Sequence, residues 1–164
     1  MLQIEGPTFE STLPFAWQAG VFKSSATEWE IVRYLMVLAD FEQTPVSIEL
    51  AQAKQDLLLL WLAKNQSISL PNAQQVQMGL SQVSWLNHEP IEVGSTGAIQ
   101  FAFSALFPFL LKLKVIVIAC TPVQAGHRVI VQFCDLSPVV QDQIEQTIFR
   151  YHRRAIQNAK QTNL

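Results

Sequence analysis

An unbroken run of six apolar residues, 57–62, lies inside a segment whose pattern is otherwise typical of a helix. A helix that covers only the core of its own domain needs a single apolar stripe. Six consecutive apolar residues extend over more than half of the helix circumference. Such a helix is either deeply buried or packs against a second chain. We favour the second chain, because the rest of the sequence is a small β-rich module with a limited core.

Two helices are predicted around this run. The first extends from 28 to about 41, with Thr27 as N-cap and Glu30 three residues later in the capping-box pattern. The second extends from about 46 to 65 and starts after Pro45. Because the link between them is short, we expect an antiparallel helical pair.

Both helices carry apolar residues at alternating steps of three and four, which is the spacing of a coiled coil. These stripes are wider than one contact requires, so we expect a hairpin that holds a homo-oligomer together. The alternative is that both helices cover one face of a sheet. The residues predicted to form the oligomer interface are Ile31, Leu35, Leu38, Leu50, Leu57, Leu60 and Trp61.

The composition favours a well-buried globular chain. It has 164 residues, 49% apolar and 15% charged, which fits one domain or one small domain with an assembly element. The net charge of −2 gives no bulk attraction to nucleic acid or to a membrane surface. The charge is unevenly distributed: residues 1–92 carry ten acids and four bases, and residues 93–164 carry three acids and seven bases.

The sequence shows no pattern of a secretory signal, and its longest apolar stretch, 101–120, is interrupted by a proline and two lysines. We therefore expect no membrane span and a cytoplasmic protein. Cys120 and Cys134 fall in predicted strands, where two core thiols are expected rather than a disulfide.

After residue 70 the apolar period changes to two, which predicts strands. Successive short strands joined by turns, among them a hairpin loop at 121–126, predict a compact antiparallel barrel. A final helix begins at Ser137-Pro138, with the serine as cap and the proline at the first helical position. Ile144, Ile148 and Tyr151 line its predicted core face.

A helical hairpin, about five short antiparallel strands and a basic C-terminal helix, in that order, resemble the atypical, tetramer-forming PilZ domains of bacteria. Residues 50–58 resemble the apolar helix of the family, 78–85 its strand pair ending in tryptophan, and 149–154 its Phe-Arg-x-His-Arg-Arg signature. The order and spacing of the three matches carry the resemblance, which covers about 13–159. It implies an α+β fold with a small PilZ-like barrel, an oligomerising helical hairpin, a C-terminal helix and a homotetramer.

Three parts of the chain are expected on this basis. Residues 1–26 form an N-terminal segment, 27–66 the helical hairpin for assembly, and 67–164 the PilZ-like barrel with its C-terminal helix. A strand at 13–22 would make the helical hairpin an insertion within the barrel.

The resemblance also raises the question of a ligand, because PilZ domains in general are receptors for cyclic di-GMP. Typical members use Arg-x-x-x-Arg just before the first barrel strand and an Asp/Asn-x-Ser-x-x-Gly turn. Here no Lys or Arg lies between Lys64 and Lys112, and 77–82 lacks the turn pattern. Since a buried dianion without a cation is costly, we expect a signalling or adaptor protein that acts through protein contacts. Motility or type IV pilus signalling follows from the resemblance alone.

One basic cluster leaves an alternative open. Arg150 and Arg154 are four residues apart on one helix face and, with Arg153, could grip a phosphate as a displaced cyclic di-GMP site or contact a protein partner. We favour a solvated basic face, with all three side chains pointing outward.

Catalysis is not indicated. The three histidines fall in different elements, no His-x-x-x-His or Cys-x-x-Cys motif occurs, and no Gly-x-Ser-x-Gly motif is found. We expect no enzyme, no metal, no cofactor and no nucleic-acid partner. The aromatic segment 103–111 is expected either to meet a partner or to fold back over the barrel.

Overall fold

The computed structural model describes residues 3–21, 27–43, 49–65 and 70–163, with only the backbone described at 60, 61 and 63–65. Six strands and three helices are present in these ranges. In chain order they are β1 (Thr8–Ala19), α1 (Glu28–Glu42), α2 (Leu50–Asn65), β2 (Ala73–Gly79), β3 (Gln82–Asn87), β4 (Thr96–Phe101), β5 (Leu111–Val123), β6 (Gly126–Phe133) and α3 (Pro138–Thr162).

The strands form a closed antiparallel barrel in the order β1-β2-β3-β6-β5-β4. β1 closes it by pairing along 8–14 with β2 and along 15–19 with β4. α1 and α2 therefore stand between the first two barrel strands in the chain. The predicted α+β fold with an antiparallel barrel and a C-terminal helix is confirmed.

Alternate strand residues face the barrel interior, where Val76 and Met78 of β2 meet Val83 and Trp85 of β3. β5 and β6 form the hairpin that the sequence predicted. Cys120 lies in β5 and Cys134 directly follows β6, and both thiols are free and partly buried.

Capping residues fix two helix starts as predicted. The backbone N–H of Thr27 donates to Glu30 Oε2 at 2.7 Å, and the N–H of Glu30 donates to Thr27 Oγ1 at 3.4 Å, which completes the capping box. Ser137 caps α3 by accepting from the N–H of Val140. The predicted start of the second helix at 46 lies outside the described residues, and the described helix begins at Leu50.

α1 and α3 pack on each other and close one end of the core. Val140, Ile144 and Ile148 of α3 are buried against the barrel. Ile31, Leu35 and Leu38 of α1 join the same core, and Leu38 has no exposed surface. Assigning these three α1 residues to an oligomer interface is therefore wrong, because their side chains are used within the chain. Within the described ranges, no helix is both long and apolar enough to cross a membrane.

Candidate functional site

The second helix, α2, carries an exposed apolar surface. Leu57 is 50% exposed and Leu62 is 59% exposed. Within the described residues, α2 has no extensive contact with any other helix or strand. A hydrogen bond from Gln52 Nε2 to Asp40 Oδ2, at 3.3 Å, connects it to α1. We call the exposed leucines of this helix the α2 surface: Leu50, Leu57, Leu58, Leu59 and Leu62.

The predicted interface residues are thus divided. Leu50 and Leu57 belong to the α2 surface, whereas the side chains of Leu60 and Trp61 lie outside the described part of the chain. On α1 the exposed apolar residues are Trp29, Met36 and Val37 rather than the predicted ones. The Arg33 guanidinium covers the Trp29 ring at 4.8 Å from the ring centre. Within these two helices, the apolar surface available to another molecule is therefore formed by α2 and the outer side of α1.

Glu42, the last residue of α1, organises the basic cluster of α3. Its carboxylate accepts hydrogen bonds from Arg150 Nη2 at 3.0 Å, Tyr151 Oη at 2.6 Å and Arg154 Nη1 at 3.1 Å. The side chain of Arg150 is only 10% exposed. The expectation that Arg150 points outward is wrong, because its side chain is largely buried and paired with Glu42. Arg154 is partly exposed and also paired, while Arg153 is exposed as predicted.

Both tyrosines next to Glu42 stay protonated. Burial raises the pKa of the Tyr151 phenol, and the hydrogen bond to the Glu42 carboxylate and its negative charge raise it further. Burial, followed by the Glu42 charge, raises the pKa of Tyr34. Tyr34 Oη donates to the carbonyl oxygen of Phe107 at 2.6 Å. Both phenols thus act as neutral hydrogen-bond donors. Tyr34 connects α1 to the aromatic segment, and Tyr151 connects α3 to α1.

The aromatic segment folds back onto the two helices. The Tyr34 ring stacks on Phe109 and Phe107, with ring centres 4.7 and 5.6 Å apart. Phe103 contacts Tyr151 at 5.6 Å. Of the two expectations for this segment, the structure agrees with folding back, although Leu106 remains exposed.

A cleft of about 410 Å³ lies beside the basic cluster, between β1, the aromatic segment and α3. Its walls include Phe103, Tyr151 and Arg154, together with the carboxylates of Glu10 and Glu42. Two carboxylates against one arginine, which is already paired, repel an anionic ligand. The charges in this cleft therefore disfavour a displaced phosphate site.

The region ahead of β1 and at the β2–β3 turn is where the family resemblance would place a cyclic dinucleotide. Ile4 fills part of it and packs with Ala119 and Ile130 in a second apolar cluster. Gly79 permits this, since a Cβ atom there would lie 2.5 Å from Ile4 Cγ2. The remaining cavity, about 350 Å³, is lined by Gln3, Glu5, Ser81, Gln82, Ile118, Ala119 and Ile130. No lysine or arginine occurs among these described lining residues.

The histidines have structural contacts. His152 Nδ1 lies 2.6 Å from the carbonyl oxygen of Thr8, and His127 Nδ1 lies 3.3 Å from that of His88. Among the residues that the structure describes, no group of three or more His, Cys, Asp or Glu could hold a metal ion.

Glu42 and Tyr34 are the residues of this region whose contacts sequence reasoning missed. Two arginines four residues apart indicate an acidic partner, but the chain has 13 acidic residues from which to choose. The pairing spans 108 positions between Glu42 and Arg150, so no local spacing reveals it.

Comparison with known proteins agrees with this architecture. The sequence model of a family described as "Atypical PilZ domain, cyclic di-GMP receptor" matches residues 38–161. A solved structure from Xanthomonas campestris is similar with a TM-score of 0.73 and 24% identity, over 91% of this chain and 89% of that chain. That protein is described as a new tetrameric PilZ domain self-assembled through an unusual helical bundle. No curated protein matches the chain significantly.

Proposed function

Since the chain belongs to the atypical PilZ domain family, we propose that it is a self-assembling signalling or adaptor protein that acts through protein contacts. In this proposal it forms a homotetramer and does not bind cyclic di-GMP in the usual PilZ manner. A cytoplasmic location and a role in motility or type IV pilus signalling remain predictions.

The observation that carries the proposal is the α2 surface. Several leucines on one helix stand exposed without an extensive contact to another described element. Monomeric proteins rarely leave this much apolar surface of one helix in water. A second copy of the same helix presents a matching surface, which is the requirement for a symmetric interface. The helical-bundle assembly of the similar Xanthomonas protein supports the same choice.

Our proposal that the chain does not bind cyclic di-GMP in the usual manner is supported by charge. Cyclic di-GMP is a dianion, and guanidinium groups are the side chains best suited to hold its phosphates. The cavity ahead of β1 contributes Glu5 and amide groups, and Ile4 takes part of the space. The α3 arginines are committed to Glu42 at two of three positions.

Assembly is tested by placing a charge on the α2 surface. Leu57→Glu should lower the mass of the oligomer, because a carboxylate cannot be desolvated against a leucine without large cost. Leu106→Glu is the matched control, since Leu106 is also an exposed leucine but lies outside the helical hairpin. Sedimentation velocity should show dissociation for the first variant alone. Equal masses for both variants and the wild type would exclude α2 as the assembly element.

Ligand binding is tested by isothermal titration of the full chain with cyclic di-GMP. We expect either no binding or binding weaker than a dissociation constant of about 1 μM, which corresponds to about −8 kcal/mol. Tight binding would refute this part of the proposal. Arg153→Ala and Arg154→Ala would then show whether the nucleotide occupies the displaced site on α3.

A further inference from the structure

The outer face of the barrel carries a groove that neither the α2 surface nor the α3 cleft accounts for. Val83 and Trp85 of β3 face the core, which leaves Ser84 between them on the outer face. The pairing of β1, β2, β3 and β6 aligns their outward residues into one surface. A groove of about 180 Å³ runs across it. Its lining includes Glu10, Gln75, Gln77, Ser84, Leu86 and Arg128.

Two buried polar atoms of this groove have no hydrogen-bond partner within the described residues. They are Ser84 Oγ and Arg128 Nε, and the only other such side-chain atom in the described ranges is Arg150 Nε. Ser84 is just 1% exposed. Native proteins pair nearly all buried polar groups, so two orphans in one groove require an explanation. Both residues line the same groove, where a bound molecule would supply the missing hydrogen-bond partners.

Charges of opposite sign stand on the two sides of the groove. The guanidinium of Arg128, on β6, is always protonated, and no ion pair involves it within the described part of the chain. Glu10, on β1, likewise has no ion-pair partner there. Three strand spacings separate the two backbones, roughly 14 Å. Both residues are among those that line the groove, so a groove of small-molecule size has an acid and a base on its two sides.

We propose that this groove binds a small zwitterion, namely a free α-amino acid. The carboxylate of the ligand accepts hydrogen bonds from the Arg128 guanidinium and the Ser84 hydroxyl, and its ammonium group donates to Glu10. An anion without a cationic end is disfavoured, because Glu10 also lines the groove and brings a negative charge to it. The volume fits this class: it is equivalent to about six waters at roughly 30 Å³ each, below the ~300 Å³ of sites for drug-sized ligands.

Isothermal titration of the full chain with L-alanine tests the proposal directly. We expect saturable binding with a dissociation constant between about 10 μM and 1 mM. N-acetyl-L-alanine, which keeps the carboxylate but lacks the ammonium group, should bind at least about 10-fold more weakly. Ser84→Ala removes only the orphan hydroxyl and should weaken L-alanine binding about 10-fold. Glu10→Gln should abolish the preference for L-alanine over its acetylated form.

Arg153→Gln is the control, because it removes an exposed arginine from α3 and should leave L-alanine binding unchanged. Three results would overturn the proposal. They are no saturable binding up to about 10 mM, equal affinity for the acetylated probe, and unchanged affinity in a folded Ser84→Ala variant. Circular dichroism of each variant establishes that it is folded. Because cyclic di-GMP and the α2 surface play no part in this test, its failure leaves the proposed function unaffected.

Discussion

At the scale of single residues, Glu42 determines what the basic cluster of α3 can do. Three donors from α3 converge on its carboxylate, and two of them are guanidinium groups. A guanidinium held this way has fewer free N–H groups for another anion. Arg150 is therefore a structural connection between α1 and α3, whereas Arg153 is the arginine of this group that stays exposed and outside the Glu42 cluster.

Glu42→Gln removes this charge while keeping the size of the side chain. The free energy of unfolding should fall by about 3 kcal/mol, because Arg150 stays largely buried without a counter-charge. Asp40→Asn, an exposed acid on the same helix, should change stability by no more than about 0.5 kcal/mol. Urea unfolding of both variants measures the difference. Equal changes in the two variants would mean that the contacts of Glu42 with α3 make no specific contribution to the free energy of unfolding.

The tyrosines give a second prediction at this scale. The chain has two, Tyr34 and Tyr151, and both have a raised pKa. A group whose pKa is raised on folding contributes stability below its unfolded pKa and loses it as pH rises toward the folded value. The unfolding free energy should therefore decline above about pH 10, the unfolded tyrosine pKa. At about pH 10, ultraviolet absorbance should show little phenolate in the native protein. The protein unfolded in urea should have about half of its tyrosine ionised at the same pH. Normal native titration would contradict the assigned burial.

At the scale of elements, the sequence predicted where helices start better than which of their faces is buried. Capping residues located the starts of α1 and α3, because a cap is a local interaction that its own residues specify. The face of α1 was misassigned for the opposite reason. Leu35 belongs to an apolar stripe whose partner, the barrel and α3, is known only from the tertiary structure. Met36 and Val37, one and two positions later, are the residues left exposed.

Two isoleucines of α3 test the assignment of its faces. Ile148→Ala should cost roughly 2–5 kcal/mol, since Ile148 is fully buried and truncation leaves a cavity. Ile156→Ala makes the same chemical change at a position 44% exposed and should cost about 0.5 kcal/mol or less. Denaturant midpoints of the two variants provide the comparison. A similar cost at both positions would mean that α3 is rotated or that its end is covered.

At the scale of the whole molecule, α1 and α3 form one connected unit with the barrel. α1 is buried on the core side and linked to α3 through Glu42, while α2 keeps its leucines exposed. In an assembly through α2, each barrel would therefore be connected to the interface by its own α1. In our proposal this leaves the outer barrel faces and Arg153 accessible to other molecules.

The mass of the wild-type protein in solution tests the central claim most directly. Multi-angle light scattering at micromolar concentration should give a multiple of the 18.5 kDa chain mass, with four copies as the expected state. Burial of the α2 surface between copies supplies the apolar area that drives this association. A mass of a single chain under these conditions would contradict the account, because the leucines of α2 would then be stable in water without a partner.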